Sequence, residues 1–181
     1  MLQVEHNVSP KVIRHKWGRA CFMEMNEDLS SLEGFEGIVD LYRSKSTDPR
    51  IPPFKADFHF QELAGWHAFF NLMHFPGAPE DGEIRILGEE YRRLFSGVLW
   101  QGMRLSEVDH PKLVNLSSYC ARLIRTPCIG RFVGFLPHNG REHIAADILD
   151  LPARDEHGNV TYLLSFIRVL TPDDDGDFAA H

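Results

Sequence analysis

The dipeptide Asn139-Gly140 is the feature that most constrains the fold of this chain. It separates two strand-like apolar runs, and Asn-Gly is the pair favoured in a two-residue type I′ hairpin turn, where both residues need a positive φ. The sequence therefore predicts that strands at 128–137 and 142–151 pair. A second turn at 155–159 leads into a third strand at 160–170, so the C-terminal third is predicted to be an antiparallel meander.

Two more strands and three helices are predicted before the meander. Apolar residues at helical spacing indicate the helices, whereas aromatic density or period-two alternation indicates the strands. The helices are expected at 32–45, 89–95 and 111–125, and the strands at 66–75 and 83–87. This order predicts an α+β domain, in which a five-stranded antiparallel sheet has helices on one face and follows an N-terminal helix.

The chain is predicted to divide into four segments. Its 181 residues favour one core with an extension. Residues 1–30 lack a sustained apolar period and predict a flexible N-terminal extension. An amphipathic helix and linker at 31–50 precede the main domain at 51–171, and an acidic tail occupies 172–181.

Composition excludes several classes of partner and location. The chain has 19 Lys and Arg against 26 Asp and Glu, a formal charge of -7, so nucleic acid is not an expected partner. The three cysteines form no C-x-x-C pair, which favours a reducing compartment. We find no apolar run of bilayer length and no signal-type leader, so a cytoplasmic location without membrane contact is expected.

Four sequence pieces in order resemble a PAS domain, and in particular the standalone PAS family common in alphaproteobacteria. They are Leu41-Tyr42 leading into IPPFKADFHFQEL (51–63), RILGEEYRRLF (85–95), GVLWQGMRLSEV (97–108) and DEHGNVTYLLSFIRVL (155–170). The resemblance implies a bacterial domain that in some relatives senses small molecules, redox state or light, and in others only dimerises. We see no output pattern after residue 170, so a signal is expected to pass by contact with another protein.

The resemblance leaves the cofactor unassigned. A flavin photosensor of this family has a reactive cysteine in an Asn-Cys-Arg-Phe context, whereas Cys120 lies in Ser-Tyr-Cys-Ala-Arg. Haem-binding relatives usually take a histidine from the long helix, but the segment 111–125 contains none and His110 only precedes it. Flavin and haem are therefore not expected.

Metal binding and catalysis are not expected either. With a two-residue turn, His138 and His143 lie diagonally on one hairpin face, with Asp147 further along it, but two histidines are too few for a site and solvated residues are the simpler interpretation. The chain has no G-x-S-x-G elbow and neither of the common phosphate-binding loops. A non-enzymatic protein is predicted.

A ligand pocket is expected between the inner sheet face and the helices at 89–95 and 111–125. Arg85, Arg92 and Tyr119 are its candidate polar anchors. The other candidate lining residues are Tyr91, Leu116, Cys120, Leu123, Phe135 and Ile144. A closed core without a cavity is the alternative.

Both faces of the predicted sheet are apolar, so each needs a cover. One face is expected to collect Val133, Phe135, Ile144, Ala146 and Ile148. The cover of the second face is either the helix at 32–45 or a second subunit. The candidate dimer face comprises Phe35, Ile38, Tyr42, Phe132, Leu136, Tyr162, Leu164 and Phe166.

These observations predict a cytoplasmic sensory or regulatory module, which binds a small ligand or a partner protein and forms a homodimer. The alternative is a ligand-free dimerisation domain.

Overall fold

A computed structural model describes residues 11–136, 140 and 143–171, and within these ranges the chain forms a seven-stranded antiparallel sheet with three α-helices. The strands are β1 (Val12–His15), β2 (Gly18–Glu24), β3 (Phe70–His74), β4 (Glu83–Leu87), β5 (Cys128–Phe135), β6 (Ala145–Arg154) and β7 (Val160–Val169). The helices are α1 (Glu36–Ser44), α2 (Glu89–Leu94) and α3 (Leu116–Arg125). The strand order is β1-β2-β5-β6-β7-β3-β4, so the meander β5–β7 is central.

Several predicted elements begin later than expected; the helix predicted at 32–45, for example, is α1 and begins at Glu36. The strand predicted at 66–75 begins only at Phe70, because His67–Phe69 form a 3₁₀ turn. The helix predicted at 111–125 begins at Leu116, after a separate 3₁₀ turn at Pro111–Leu113. In that turn the backbone N–H of Lys112 donates to Nδ1 of His110, 3.2 Å away.

The prediction of five strands after a flexible extension is wrong, because residues 12–24 form β1 and β2. These strands make a hairpin, and β2 pairs with β5 from Gly18↔Gly134 to Glu24↔Cys128. Ala20 and Phe22 point to the core while their neighbours are half-buried. This alternation covers only two inward positions, which is too short a pattern to stand out from the surrounding basic residues.

The second apolar face of the sheet is covered by α1, one of the two covers that the sequence left open, so the sheet is the middle layer of the domain. Helix α1 lies on one face, and its Ile38 and Tyr42 join a core with Leu149 and Phe166. Helices α2 and α3 pack on the other face. The Tyr42 hydroxyl donates to the carbonyl oxygen of Pro152, 2.5 Å away, which ties α1 to β6.

The predicted register of the β5–β6 hairpin is wrong by one residue. A two-residue turn places Val133 opposite Ala146, but Val133 lies opposite Asp147. Leu136 likewise donates its backbone N–H to the carbonyl oxygen of Ile144, and strand pairing ends at Phe135↔Ala145. Asn139 lies outside the described residues, so the type I′ turn itself stays a prediction. A shift of one residue moves a side chain to the opposite face, so Val133 lies on the α1 side and not beside Ala146.

The role of β2 is tested by replacing Phe22 with alanine. The Phe22 ring is 6% exposed, contacts the Tyr119 ring with centroids 5.5 Å apart, and lies 3.6 Å from the guanidinium of Arg122. We expect Phe22→Ala to lower the free energy of unfolding by about 3–5 kcal/mol in urea denaturation.

The matched control is Val12→Ala, because Val12 in β1 is 47% exposed. Its effect is expected to stay within about 0.5 kcal/mol. A Phe22→Ala protein as stable as the wild type would contradict the placement of β2 in the core.

Candidate functional site

A cavity of about 310 Å³ lies between the sheet and the helices α2 and α3. Most of its wall is apolar. Met73 and Ile84 contribute from β3 and β4, Phe132 and Ile148 contribute from β5 and β6, and Leu99 closes one side from the segment after α2. A concave apolar space of this size is at the lower end of the range for small-molecule pockets.

A row of three polar side chains crosses the sheet floor of this cavity. Asp150 in β6 lies opposite Ser165 in β7, and Ser165 lies opposite Asn71 in β3. All three are at most 4% exposed, and all three line the cavity. We call Asn71, Ser165 and Asp150 the polar row. Because directly opposed residues share a face of the sheet, the register alone brings these side chains together.

The Asp150 carboxylate is the hydrogen-bonded centre of the site. Its Oδ2 accepts from the Tyr119 hydroxyl at 2.7 Å, and its Oδ1 accepts from the Ser165 hydroxyl. Burial raises the pKa of Asp150 from 3.8 to about 6, although both hydrogen bonds lower it. Burial disfavours the charged form more strongly than these two donors stabilise it.

Gly130 makes the contact between α3 and the polar row possible. It lies opposite Asp150 in β5. A Cβ atom at this position would overlap the Tyr119 hydroxyl oxygen and would lie 2.8 Å from Cδ1 of Leu123. The missing side chain therefore leaves the space through which Tyr119 reaches Asp150.

Oδ1 of Asn71 is a buried polar atom that lacks a hydrogen-bond partner among the described residues. Asn71 is 4% exposed and Tyr91 is 2% exposed. Burial and the nearby charge of Asp150 raise the pKa of Tyr91 well above its usual value, although a hydrogen-bond interaction with the Ser165 side chain lowers it. Buried polar groups normally have partners, and an unpaired one costs about 1–3 kcal/mol.

The outer end of the cavity is lined by two lysines and a tryptophan. Lys16 and Trp17 come from the β1–β2 turn, and Lys112 comes from the 3₁₀ turn before α3. The Trp17 ring centroid lies 4.1 Å from Nζ of Lys112 and 4.9 Å from Nζ of Lys16, which is cation–π geometry. Val114, also at the wall, is 70% exposed, so this end faces solvent.

Five of the nine pocket residues selected from the sequence line the cavity, and four do not. The five are Tyr91, Leu116, Tyr119, Cys120 and Phe135. Leu123 is buried in the core and Ile144 packs against it. Arg85 is exposed and pairs with Glu83 at 2.9 Å, while Arg92 is exposed and lies 3.4 Å from the carbonyl oxygen of Leu87. Two of the three predicted anchors thus point away from the cavity.

Sequence reasoning missed the polar row as a site. A polar residue at an inward position of an apolar strand is the signal that each of its members gives. Asp150 stands in Leu149-Asp150-Leu151, and Ser165 stands in Leu164-Ser165-Phe166. Their convergence depends on strand register, which no single segment reveals.

The candidate metal ligands do not form a cluster. Within residues 11–136, 140 and 143–171, no group of three His, Cys, Asp or Glu side chains is placed to hold a metal ion. His110 is in the turn before α3 and does not line the cavity, and His143 is exposed. His138 lies outside the described residues. Asp147 instead forms a two-point ion pair with Arg131, at 2.7 and 2.9 Å.

The candidate dimer face is not a surface of this chain. Phe35, Ile38, Tyr42, Leu164 and Phe166 are at most 4% exposed, because α1 and the segment before it cover that face of the sheet. Leu136 and Phe132 belong to the other face and line the cavity. Tyr162 is half-buried and stacks on His74, with ring centroids 4.4 Å apart. Most of these residues are therefore buried inside the chain and are not available to a second subunit. The homodimer stays a prediction.

No helix in the described part of the chain combines the length and the apolar character needed to cross a bilayer.

No family model matches the chain, and a comparison with curated proteins finds no match. A solved structure of an RNA-binding light-oxygen-voltage receptor matches 82% of this chain at 13% sequence identity, with a TM-score of 0.38. The chain spans about half of that receptor, since the match covers 51% of it.

The raised pKa of Asp150 predicts a pH-dependent stability. Between about pH 3.8 and pH 6 the folded carboxyl binds more protons than the unfolded one, so its contribution to stability falls as the pH rises. The stabilisation that comes from binding this proton is fully present below about pH 3.8 and is lost above about pH 6. Across this range the free energy of unfolding falls by about 3 kcal/mol.

The measurement is urea denaturation of the wild type and Asp150→Asn across this pH range. We expect the wild type to lose stability relative to the variant as the pH rises. Titration of the Asp150 carboxyl by ¹³C NMR gives an independent midpoint, and a midpoint near 4 would contradict the raised pKa.

Proposed function

We infer that this chain is a PAS-type sensory module that binds a small molecule in the cavity between its sheet and α3. One observation carries the proposal: a cavity of about 310 Å³ with a mostly apolar wall and a floor that contains the polar row. An apolar wall with a few fixed polar groups is typical of small-molecule pockets, because the polar groups orient the ligand. A closed, filled core would leave no such space.

The fold supports the same proposal. Strands β3 to β7 and helices α2 and α3 follow one another in the order predicted from the sequence patterns, the order on which the PAS resemblance was noted, and the cavity lies between the sheet and these two helices. The ligand-free dimerisation alternative has less support, because its candidate face is covered by α1 of the same chain.

The signal would leave the module through a change in the cavity walls. The walls include α3, the 3₁₀ turn before it and the β1–β2 turn, which are separate segments that meet around the cavity. A ligand shifts a protein toward the conformation that it binds better. A partner protein that contacts any of these segments would therefore respond to occupancy.

Acid–base catalysis is the competing function for the same site, because a buried carboxyl with a raised pKa is typical of active sites. The geometry favours binding. Both Asp150 oxygens already accept hydrogen bonds, from Tyr119 and from Ser165. The Asp150 carboxylate is therefore fixed in the cavity floor by Tyr119 and Ser165, an arrangement that suits a structural role better than proton transfer to a substrate.

The test is native mass spectrometry together with an absorption spectrum of freshly purified protein. We expect the wild type to retain a small molecule, and we expect Ala146→Leu to lose it. Ala146 is fully buried and lines the cavity, so a leucine there fills ligand space.

The control is Ala64→Leu, which makes the same change on the exposed surface and should leave the retained molecule in place. A wild-type mass without any adduct, with no thermal stabilisation by small apolar compounds, would contradict the proposal.

A further inference from the structure

We propose that the cavity binds an amphipathic anion, whose apolar body lies along β6 and whose carboxylate pairs with Lys16 and Lys112 at the outer end. This inference rests on the proposed function and names the chemical class of its ligand.

The cavity has two ends that are separated along β6. Ala146 and Asp150 both line it and lie four residues apart on the same face of this strand, which corresponds to about 13 Å. Ala146 is level with the β1–β2 turn, because it pairs with Gly134, and Gly134 pairs with Gly18, the residue after Trp17. The cavity therefore extends from Trp17 at the outer end to the polar row.

The charges at the two ends are opposite. Among the described residues that line the cavity, three are Lys, Arg, Asp or Glu, namely Lys16, Lys112 and Asp150. An anionic group at the inner end would meet the carboxyl of Asp150, whereas at the outer end it would meet two ammonium groups. Coulomb attraction and repulsion thus favour one orientation, with the anion outward.

The two lysines are close together and accessible to a ligand. Their Nζ atoms lie 4.9 and 4.1 Å from the Trp17 ring centroid, so they are no more than about 9 Å apart. Lys16 is exposed and Lys112 is half-buried. Within the described part of the chain, neither lysine forms an ion pair with a carboxylate. Two neighbouring like charges repel each other, and an anion bound beside both relieves that repulsion.

The wall between the two ends is apolar. Ile148 lies between Ala146 and Asp150 on this face of β6, Phe132 lies opposite Ile148, and Ala20 lies opposite Phe132. All three of these positions offer dispersion contacts and no side-chain hydrogen bonds. An apolar chain attached to the anionic group is removed from water along this row.

The test compares octanoate with octan-1-ol, which has the same chain length but a neutral head group, in calorimetry. We expect Lys16→Gln and Lys112→Gln each to weaken octanoate binding about threefold, and the double variant to weaken it about tenfold. Their affinity for octan-1-ol should stay within about twofold of the wild type. Added salt should weaken octanoate binding alone, since it screens the ion pairs.

The matched control is the double variant Lys11→Gln and Lys55→Gln, which makes the same change in net charge outside the cavity. It should keep the wild-type affinity for octanoate. Ile84 and Ile148 line the cavity, so contacts between their methyl groups and the octanoate chain, measured by NMR on the wild type, would place the chain inside.

The outcomes separate the two proposals. Octanoate affinity that is unchanged in the Lys16 and Lys112 double variant would overturn the anion site and leave the small-molecule module in place. Octanoate that binds without contacting Ile84 or Ile148 would also overturn it, since the lysines would then act only as surface charges. Binding of neither compound overturns the inference, and if the purified protein also retains no molecule, the proposed function fails with it.

Discussion

Burial of the central sheet on both faces is the constraint on which the rest of this structure depends. Strands β6 and β7 lie between α1 on one side and α3 on the other, so most of their side chains are removed from water on either face. Their fully buried positions are apolar except for Asp147, Asp150 and Ser165, and each of these three needs a partner inside the protein. Asp147 finds Arg131 on the α1 side, and Asp150 finds Tyr119 and Ser165 on the α3 side.

The two buried carboxylates, Asp147 and Asp150, differ in what surrounds them. Asp147 is neutralised by an ion pair with Arg131. Asp150 has neutral donors and a cavity beside it, and burial raises its pKa. A carboxylate without a cation in a dry space is destabilising. The hydrogen bonds from Tyr119 of α3 and Ser165 of β7 offset part of this cost. The bond from Tyr119 is possible because Gly130 leaves space for it. The site thus combines local destabilisation with rigid positioning, as binding sites often do.

The sequence predicted local elements better than their assembly. Period-two and period-3.6 patterns located β4, α2, α3 and β7, and the Asn139-Gly140 signal located the β5–β6 hairpin. The turn signal did not set the register, because the observed pairing is shifted by one residue from that of a two-residue turn, which places Val133 on the other face. The positions of buried polar side chains were harder to predict than the strands themselves. Asn71, Ser165 and Asp150 come from three strands and meet only through cross-strand pairing. Their spacing along the sequence does not indicate that the three side chains lie together.

The segment that looked least structured supplies part of the site. Ala20 and Phe22 of β2 pack into the core beneath α3, while Lys16 and Trp17 line the outer end of the cavity. The same hairpin is paired with β5, the strand that carries Gly130 and Phe132. Because core packing is tight, any displacement of this hairpin would also disturb β5 and α3. If the cavity binds a ligand as proposed, its occupancy and the attachment of residues 12–24 to the sheet would be linked.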